Sequence, residues 1–270
     1  MPLRFLVSLL ICILLNSPSF AETITLNGED DWAPYSSATA DYKDVQGLAP
    51  DIIRAAFKTQ SVTVRIRPVP FARCMLEVDK GTALGCFDTI INQDTKDRYI
   101  FHKTPLFQAE MVVYGPISSQ KTSITVKDLE GKVVGWTTGY TYPPSFRDNK
   151  KIIPDVVPTE RAQLEKLAAG RIEYAVMWGL TGEHILQKHP HLSKKVKALG
   201  SISRDSLYIN FSKSHPDGAK YAGVFEKGLQ AIMVNGTYKK LEDDFRKKHL
   251  RFKSWAAKAQ ESKKQKSKEL

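Results

Sequence analysis

The residues with chemical potential in this chain collect where apolar runs end. Leu84–Phe87 is a short apolar run of the kind that forms a buried parallel strand, and Asp88-Thr89 follow it, then Asn92-Gln93-Asp94-Thr95. In an open α/β sheet, ligands bind just beyond the carboxyl ends of strands, so Asp88 and Thr89 are candidate contacts. Trp32 and Tyr35 lie in an acidic loop, Gly28-Glu29-Asp30-Asp31-Trp32-Ala33-Pro34-Tyr35, after the first alternating run. Phe71 opens a helical pattern, with Arg73 beside it, and Trp136, Tyr140 and Trp178 follow later apolar runs. A single aromatic residue at such a place is more often core than wall, but six of them at strand ends predict that some wall a cleft. Gly139, read as opening a helix, offers backbone N–H groups to an anion. The chain has no nucleotide loop, nucleophile elbow or zinc motif. His189-Pro190-His191 lacks acidic or cysteine partners at ligand spacing and reads as a solvated turn, so neither metal nor cofactor is expected.

The elements that must position these residues follow from periodicity. Ile24 and Leu26 alternate in a first strand, and Val62, Val64 and Ile66 in another, ended by Pro68 and Pro70. Between them Gly47-Leu48-Ala49-Pro50-Asp51 starts a helix with Ile52, Ile53, Ala56 and Phe57 on its buried face, proline being tolerated in the first turn. Phe71, Met75 and Val78 recur at helical spacing, and Lys80-Gly81 closes that helix. A short helix is expected after Asp94, then a strand leading to Phe107. The β-α-β-α-β order predicts a parallel sheet with right-handed crossovers. Ala109–Tyr114 reads as a strand that crosses between lobes. A second set follows: a helical turn at Val126–Leu129, strands at Lys132–Gly135 and Val156-Val157, and a helix capped by Thr159. After it come a strand at Ile172–Met177, a helix at Thr181–Lys188, separate strands at Lys195–Leu199 and Leu207–Phe211, and a long helix at Tyr221–Asn235. The expected organisation is α/β with two lobes: 22–113, then 114–205, then a return into the first lobe over 206–250.

Arg4, the apolar run Phe5–Leu15 and the small residues of Ser19-Phe20-Ala21 read as a secretory signal peptide, residues 1–21, cleaved after Ala21. Export to the periplasm follows. The net charge of +11 would suit a nucleic-acid partner, but seven basic residues against two acidic ones fall in residues 251–270, a Lys/Ser/Gln tail that reads as disordered. Cys12 leaves with the leader. Cys74 and Cys86 remain, and in an oxidising compartment they form either a disulfide or a pair of small buried hydrophobes.

In their order along the chain, these pieces resemble the periplasmic solute-binding proteins of polar amino-acid ABC transporters. Trp32-Ala33-Pro34-Tyr35 resembles that family's first loop, and Gly47–Ile52 its GFDVDL helix start. Gly81–Phe87 is similar to its GKVDLVIAG strand, and Thr104-Pro105-Leu106-Phe107 to its SDPY. Lys127–Gly135 follows its LKGKKVGV, Ala169–Val176 its AGRVDAVV, and Asn235-Gly236-Thr237-Tyr238 its DGTY. The resemblance implies a type 2 periplasmic-binding fold: two α/β lobes joined by two crossing strands, closing on a solute by a hinge motion. It implies a monomeric receptor that delivers a small-molecule ligand to an inner-membrane permease, without nucleic acid.

The resemblance also places site residues. The family's carboxylate-holding arginine corresponds to Lys96 or Arg98, and a lysine there would forfeit bidentate geometry. The family's ammonium-binding aspartate corresponds to Trp178, which offers only a ring face. Asp31 or Asp88 would then hold the ammonium, or else the ligand is not a standard α-amino acid. Two other functions stay open on this scaffold. One is a periplasmic dehydratase of an aromatic amino-acid precursor, with Asp31, Asp88 or Glu173 as acid or base. The other is a ligand-sensing partner of a membrane signalling protein.

Overall fold

The computed structural model describes residues 22–121 and 123–249; the leader 1–21 and the tail 251–270 lie outside the described residues. Strand β1 (Glu22–Glu29) buries Ile24 and Leu26 and runs on to the buried Glu29. The acidic loop then forms a small sheet of its own from β2 (Asp31–Trp32), β3 (Ser36–Ala38) and β4 (Val45–Gln46), strands too short to show a sequence period. Helix α1 (Leu48–Lys58) begins after Gly47, whose φ is 132°. A Cβ at Gly47 would stand 2.3 Å from the Tyr35 carbonyl oxygen, so the loop bearing Trp32 and Tyr35 lies on the helix start only because that residue is glycine. The buried stripe of α1 includes Ile52, Ile53, Ala56 and Phe57. Strand β5 (Val62–Val69) pairs with β1 in parallel, from Glu22 opposite Val62 to Glu29 opposite Val69.

Helix α2 (Phe71–Asp79) buries Phe71, Cys74 and Val78 and ends at Lys80, with Gly81 at φ 72°. Strand β6 (Gly85–Thr89) is buried along its whole length. The short helix expected next does not form. Residues 93–98 are turns, because the Asn92 side chain accepts the backbone N–H groups of Asp94 and Thr95 and so competes with helical pairing. Strand β7 (Tyr99–Phe101) leads into β8 (Phe107–Pro116).

The second half contains a 3₁₀ turn (Val126–Leu129), β9 (Val133–Thr137), α3 (Pro144–Arg147), β10 (Ile153–Val157), α4 (Glu160–Ala168), β11 (Tyr174–Trp178), α5 (Gly179–Lys188) and α6 (Pro190–Ser193). Thr159 Oγ1 accepts from Ala162 N at 3.1 Å and caps α4. His189-Pro190-His191 enters the single turn of α6 instead of forming a loop. The chain returns through β12 (Val196–Ser212), α7 (Gly218–Val234) and α8 (Thr237–His249).

Strand β9 runs parallel to both β10 and β11, as βα crossovers require. The sheet is not parallel throughout. Strand β8 is antiparallel to β11 and β12, and the order is β10-β9-β11-β8-β12-β6, with β7 also on β12. Lys195–Leu199 and Leu207–Phe211, expected as two strands, fall, from Val196 on, in one strand of 17 residues. The polar stretch between them hides this from a reading of side chains. Its backbone is held by β8 from Phe107 opposite Leu207 to Pro116 opposite Val196, with register shifts near Gly200 and Ile202. Strands β8 and β12 therefore join the two lobes.

Cys74 of α2 and Cys86 of β6 are joined by a disulfide, with Cα atoms 5.8 Å apart, beneath Phe71 and Tyr99 in a cluster of their own. A crosslink across 12 residues of sequence is worth ~3 kcal/mol. The double variant Cys74→Ala/Cys86→Ala should melt about 6–12 °C lower by calorimetry. An unchanged Tm would show that the crosslink carries no stability.

Candidate functional site

The carboxyl ends of strands from both lobes converge on one cavity. Its lining is Glu29, the last residue of β1; Trp32, at the end of β2; Phe71, the first residue of α2; and Asp88 in β6. Tyr140 and Thr141, in the loop after β9, and Trp178, the last residue of β11, complete it from lobe 2. As the lobes stand, the space measures about 10 Å³, the room of about one water.

The electrostatics of this space are one-sided. Asp88 is 6% exposed, and neither carboxylate oxygen has a hydrogen-bond partner. Burial raises its pKa well above the usual range, and the neighbouring Glu29 raises it further. Asp88 adopts φ 70°, a left-handed conformation that aspartate and asparagine tolerate better than most residues. Glu29, also 6% exposed, has its pKa pushed up to about 8 by burial, partly offset by the hydrogen bond it accepts from Tyr140 Oη. Glu160, the first residue of α4, accepts from Trp178 N at 3.1 Å while its other oxygen has no partner. Burial raises its pKa too, with Glu29 and Asp31 adding to the effect. Three buried acids thus share the region, and among the described residues no Lys or Arg lines the cavity.

Aromatic packing closes the rest. Trp32 meets Trp178 across the lobes edge-on at 5.8 Å, and Phe71 meets Tyr140 at 5.4 Å. Besides the Tyr140–Glu29 hydrogen bond, polar links at the same boundary are Ile90 N to Thr141 Oγ1 at 3.4 Å, Asn92 Nδ2 to the Tyr142 carbonyl at 3.3 Å, and an ion pair between Arg147 and Asp94. Gly139, at φ 77°, lets the lobes touch: a Cβ there would lie 2.7 Å from that of Ala72.

Of the residues singled out in the sequence, the structure brings Trp32, Phe71, Asp88, Tyr140 and Trp178 together and places the others elsewhere. Asp31 is exposed, because in β2 it alternates with the inward Trp32. Tyr35 stacks at 4.4 Å on Trp32 and at 5.2 Å on Phe107, behind the wall and within the core. Trp136 packs on Tyr142 and Phe146 inside lobe 2. Thr89 donates to Asn210 Oδ1 at 2.8 Å and is spent on β12. Arg73 is exposed and pairs with Glu77 one turn on, at 2.8 Å. Lys96 is exposed on the turn after Asn92, and Arg98 pairs with Asp79. Gly139 opens no helix, since α3 starts five residues later. Arg98 and Gly139 instead line an outer groove of about 380 Å³, where the Arg98 and Arg147 guanidinium groups are each matched by a carboxylate. A hollow of about 650 Å³ along β1 is larger, but Asn27, Arg67 and Glu77 there are bonded to one another. Glu29, Thr141 and Glu160 were not singled out. For Glu29 the signal is its place at the carboxyl end of a strand, the same rule that selects Asp88.

With this geometry in place, comparison with known proteins defines the class. The sequence profile of the bacterial extracellular solute-binding proteins, family 3, matches residues 24–248. The chain belongs to that family. Among solved structures, a histidine kinase sensor domain with similarity to periplasmic binding proteins aligns at TM-score 0.73 and 18% identity, over 84% of this chain and 96% of that one. An ancestral arginine-binding protein bound to arginine aligns at 0.71 and 19%, over 84% and 99%. The amino-acid ABC transporter substrate-binding protein AbpA from Streptococcus pneumoniae, bound to L-arginine, aligns at 0.68 and 18%, over 84% and 95%. At these identities the likeness establishes the two-lobed α/β fold. No curated protein matches the chain. Among the described residues, no His, Cys, Asp or Glu cluster could hold a metal, and no helix is long and apolar enough to cross a membrane.

The raised Glu29 makes stability depend on pH. A carboxyl whose pKa rises from 4.5 to about 8 on folding contributes fully below 4.5, and the contribution is lost as pH rises to about 8. The buried His102, lowered from 6.5 to about 4, acts with the opposite sign below 6.5. Between pH 6.5 and 8 only the acid effect remains, worth ~1.4 kcal/mol per pH unit for one proton, or about 3–6 °C in a chain of this size. Scanning calorimetry should show Glu29→Gln removing about that much from the fall of Tm with pH. Parallel slopes for variant and wild type would mean that Glu29 is already ionised in the folded chain.

Proposed function

We propose that this protein is an exported receptor that captures a small polar solute bearing a cationic group between its lobes and presents the closed form to an ABC transporter permease. Asp88 carries the reading. Its carboxyl group has neither oxygen bonded, and ionising it away from water is costly unless a positive partner meets it; it lies in the interlobe cavity of a chain of the extracellular solute-binding family. In this reading residues 1–21 are a leader, lobe 1 is 22–113 with 206–250, lobe 2 is 114–205, and the mature chain is a periplasmic monomer. Glu29, Trp32, Phe71, Tyr140, Thr141 and Trp178 are the other contacts.

A cavity of about 10 Å³ admits a solute only if the lobes part, so binding includes a hinge closure. A dehydratase is the weaker reading: precursors of aromatic amino acids carry carboxylates, and the lining of this cavity offers no Lys or Arg to receive them. Sensing is supported by the likeness to a histidine kinase sensor domain, and it would use the same site with another reader.

Small-angle scattering with a thermal-shift screen of cationic and anionic solutes tests the receptor. A cationic solute should raise Tm and reduce the radius of gyration. Gly139→Leu, which sets a side chain against Ala72, should weaken that solute at least tenfold by holding the lobes apart. Loss of uptake of the solute on deleting the gene supports delivery to a permease, whereas unchanged uptake with a lost transcriptional response supports sensing. A receptor is ruled out if no solute of any class closes the lobes.

A further inference from the structure

The cavity contains groups for one end of an amino acid and lacks those for the other. An ammonium has Asp88, with two free oxygens, and Glu29, with the Trp32, Phe71, Tyr140 and Trp178 rings around them. Ring faces attract a cation, more strongly once water is excluded. A carboxylate has no such provision. Lys96 is exposed, and Arg98 and Arg147 face the outer groove, each paired with a carboxylate. The backbone N–H of Trp178 is taken by Glu160, and that of Ile90 by Thr141. Trp32 Nε1, without a partner, is a single neutral donor that suits a hydroxyl or carbonyl group. A carboxylate placed here would be desolvated beside the two acids of the lining, with no Lys or Arg among the lining residues to meet it, and an uncompensated buried charge is strongly destabilising.

We infer that the ligand is a compact organic ammonium ion without a carboxylate, held by Asp88 and Glu29 within the Trp32, Phe71, Tyr140 and Trp178 rings. The inference rests on the receptor reading and narrows it to one chemical class. Each element of the site has a part in it. Asp88 supplies the charge, and Glu29 a second acceptor kept in place by Tyr140. Trp178 adds a ring to the lining, and ring faces attract methylated as well as primary ammonium groups.

The test uses pairs of solutes that differ by a carboxylate, putrescine and ornithine, cadaverine and lysine, agmatine and arginine, together with choline and glycine betaine, where the carboxylate replaces a hydroxymethyl group. Titration calorimetry at pH 8 on the mature protein should find at least one amine or quaternary ammonium bound tenfold or more tighter than its carboxylated counterpart. Asp88→Asn keeps the shape and tolerates the left-handed backbone, and should weaken that ligand at least tenfold while the ligand-free protein melts no lower. Trp178→Leu should weaken the quaternary ion more than the primary amine. If the carboxylated member binds as tightly or more tightly, or if only anions bind, the class is wrong and the receptor stands. If none of these solutes and no other closes the lobes, both fall.

Discussion

Three carboxyl groups, those of Glu29, Asp88 and Glu160, are withdrawn from water near the meeting of the two lobes, and among the described residues no Lys or Arg lines the cavity beside them. Desolvating a carboxylate costs several kcal/mol even after relaxation. The folded chain reduces that cost by keeping protons on these groups, and the upward pKa shifts express this. Tyr140 and the Trp178 backbone give Glu29 and Glu160 partial relief, but Asp88 has none. Each acid is fixed by the element that carries it: Glu29 and Asp88 at strand ends, Glu160 at a helix start. Glu29 and Asp88 therefore stay together in lobe 1, and Glu160 moves with lobe 2. What can change is the distance between the lobes.

That freedom lies in β8 and β12, the two strands that span both lobes. Their ladder is continuous, and the register shifts near Gly200 and Ile202 fall in the crossing. A bulge frees one residue from the ladder and lets a strand bend locally without unpairing its ends. Opposing any bend are the contacts across the cleft: two ring pairs, the Tyr140–Glu29 hydrogen bond, two long hydrogen bonds and the Arg147–Asp94 ion pair. Each is modest, since a partly exposed ion pair contributes about 0–1 kcal/mol. A boundary built of weak links over a set of strained acids is one that a solute can stabilise or leave open.

How much of this could be read from the sequence depended on the physical signal each residue leaves. Trp32, Phe71, Asp88 and Trp178 were accessible because strand ends and helix starts are marked by apolar runs and prolines, and a cleft in an α/β fold lies at those ends. Glu29 obeys the same rule, but it stands in a run with Asp30 and Asp31, and nothing in the residue types says which of three neighbouring acids points inward. The strand boundaries settle it: Glu29 ends β1, whose last four residues are all buried, and Asp31 alternates with the inward Trp32 in β2. The cations were misplaced for a related reason. Lys96 and Arg98 were located by spacing along a motif, whereas the Asn92 and Thr95 side chains wind the chain into turns that present both outward. The long β12 escaped notice because ladder pairing belongs to the backbone, and the polar side chains of its middle carry no record of it.

An acidic cavity in a chain of net charge +11 raises the question of which field a cationic solute meets. At a distance the surface lysines oppose its approach, but screening limits their reach to about 8–10 Å at physiological ionic strength. Inside the cleft, water is replaced by ring faces and strand backbone, and an ion pair gains several-fold over its value in bulk solvent. The buried acids then govern affinity, while the surface charge alters only the rate of encounter and does so less as salt rises. A site of this kind selects by what it desolvates. A solute bearing a positive charge alone recovers the cost of burying Asp88, whereas one that brings its own carboxylate adds a second desolvation that nothing in the cavity repays.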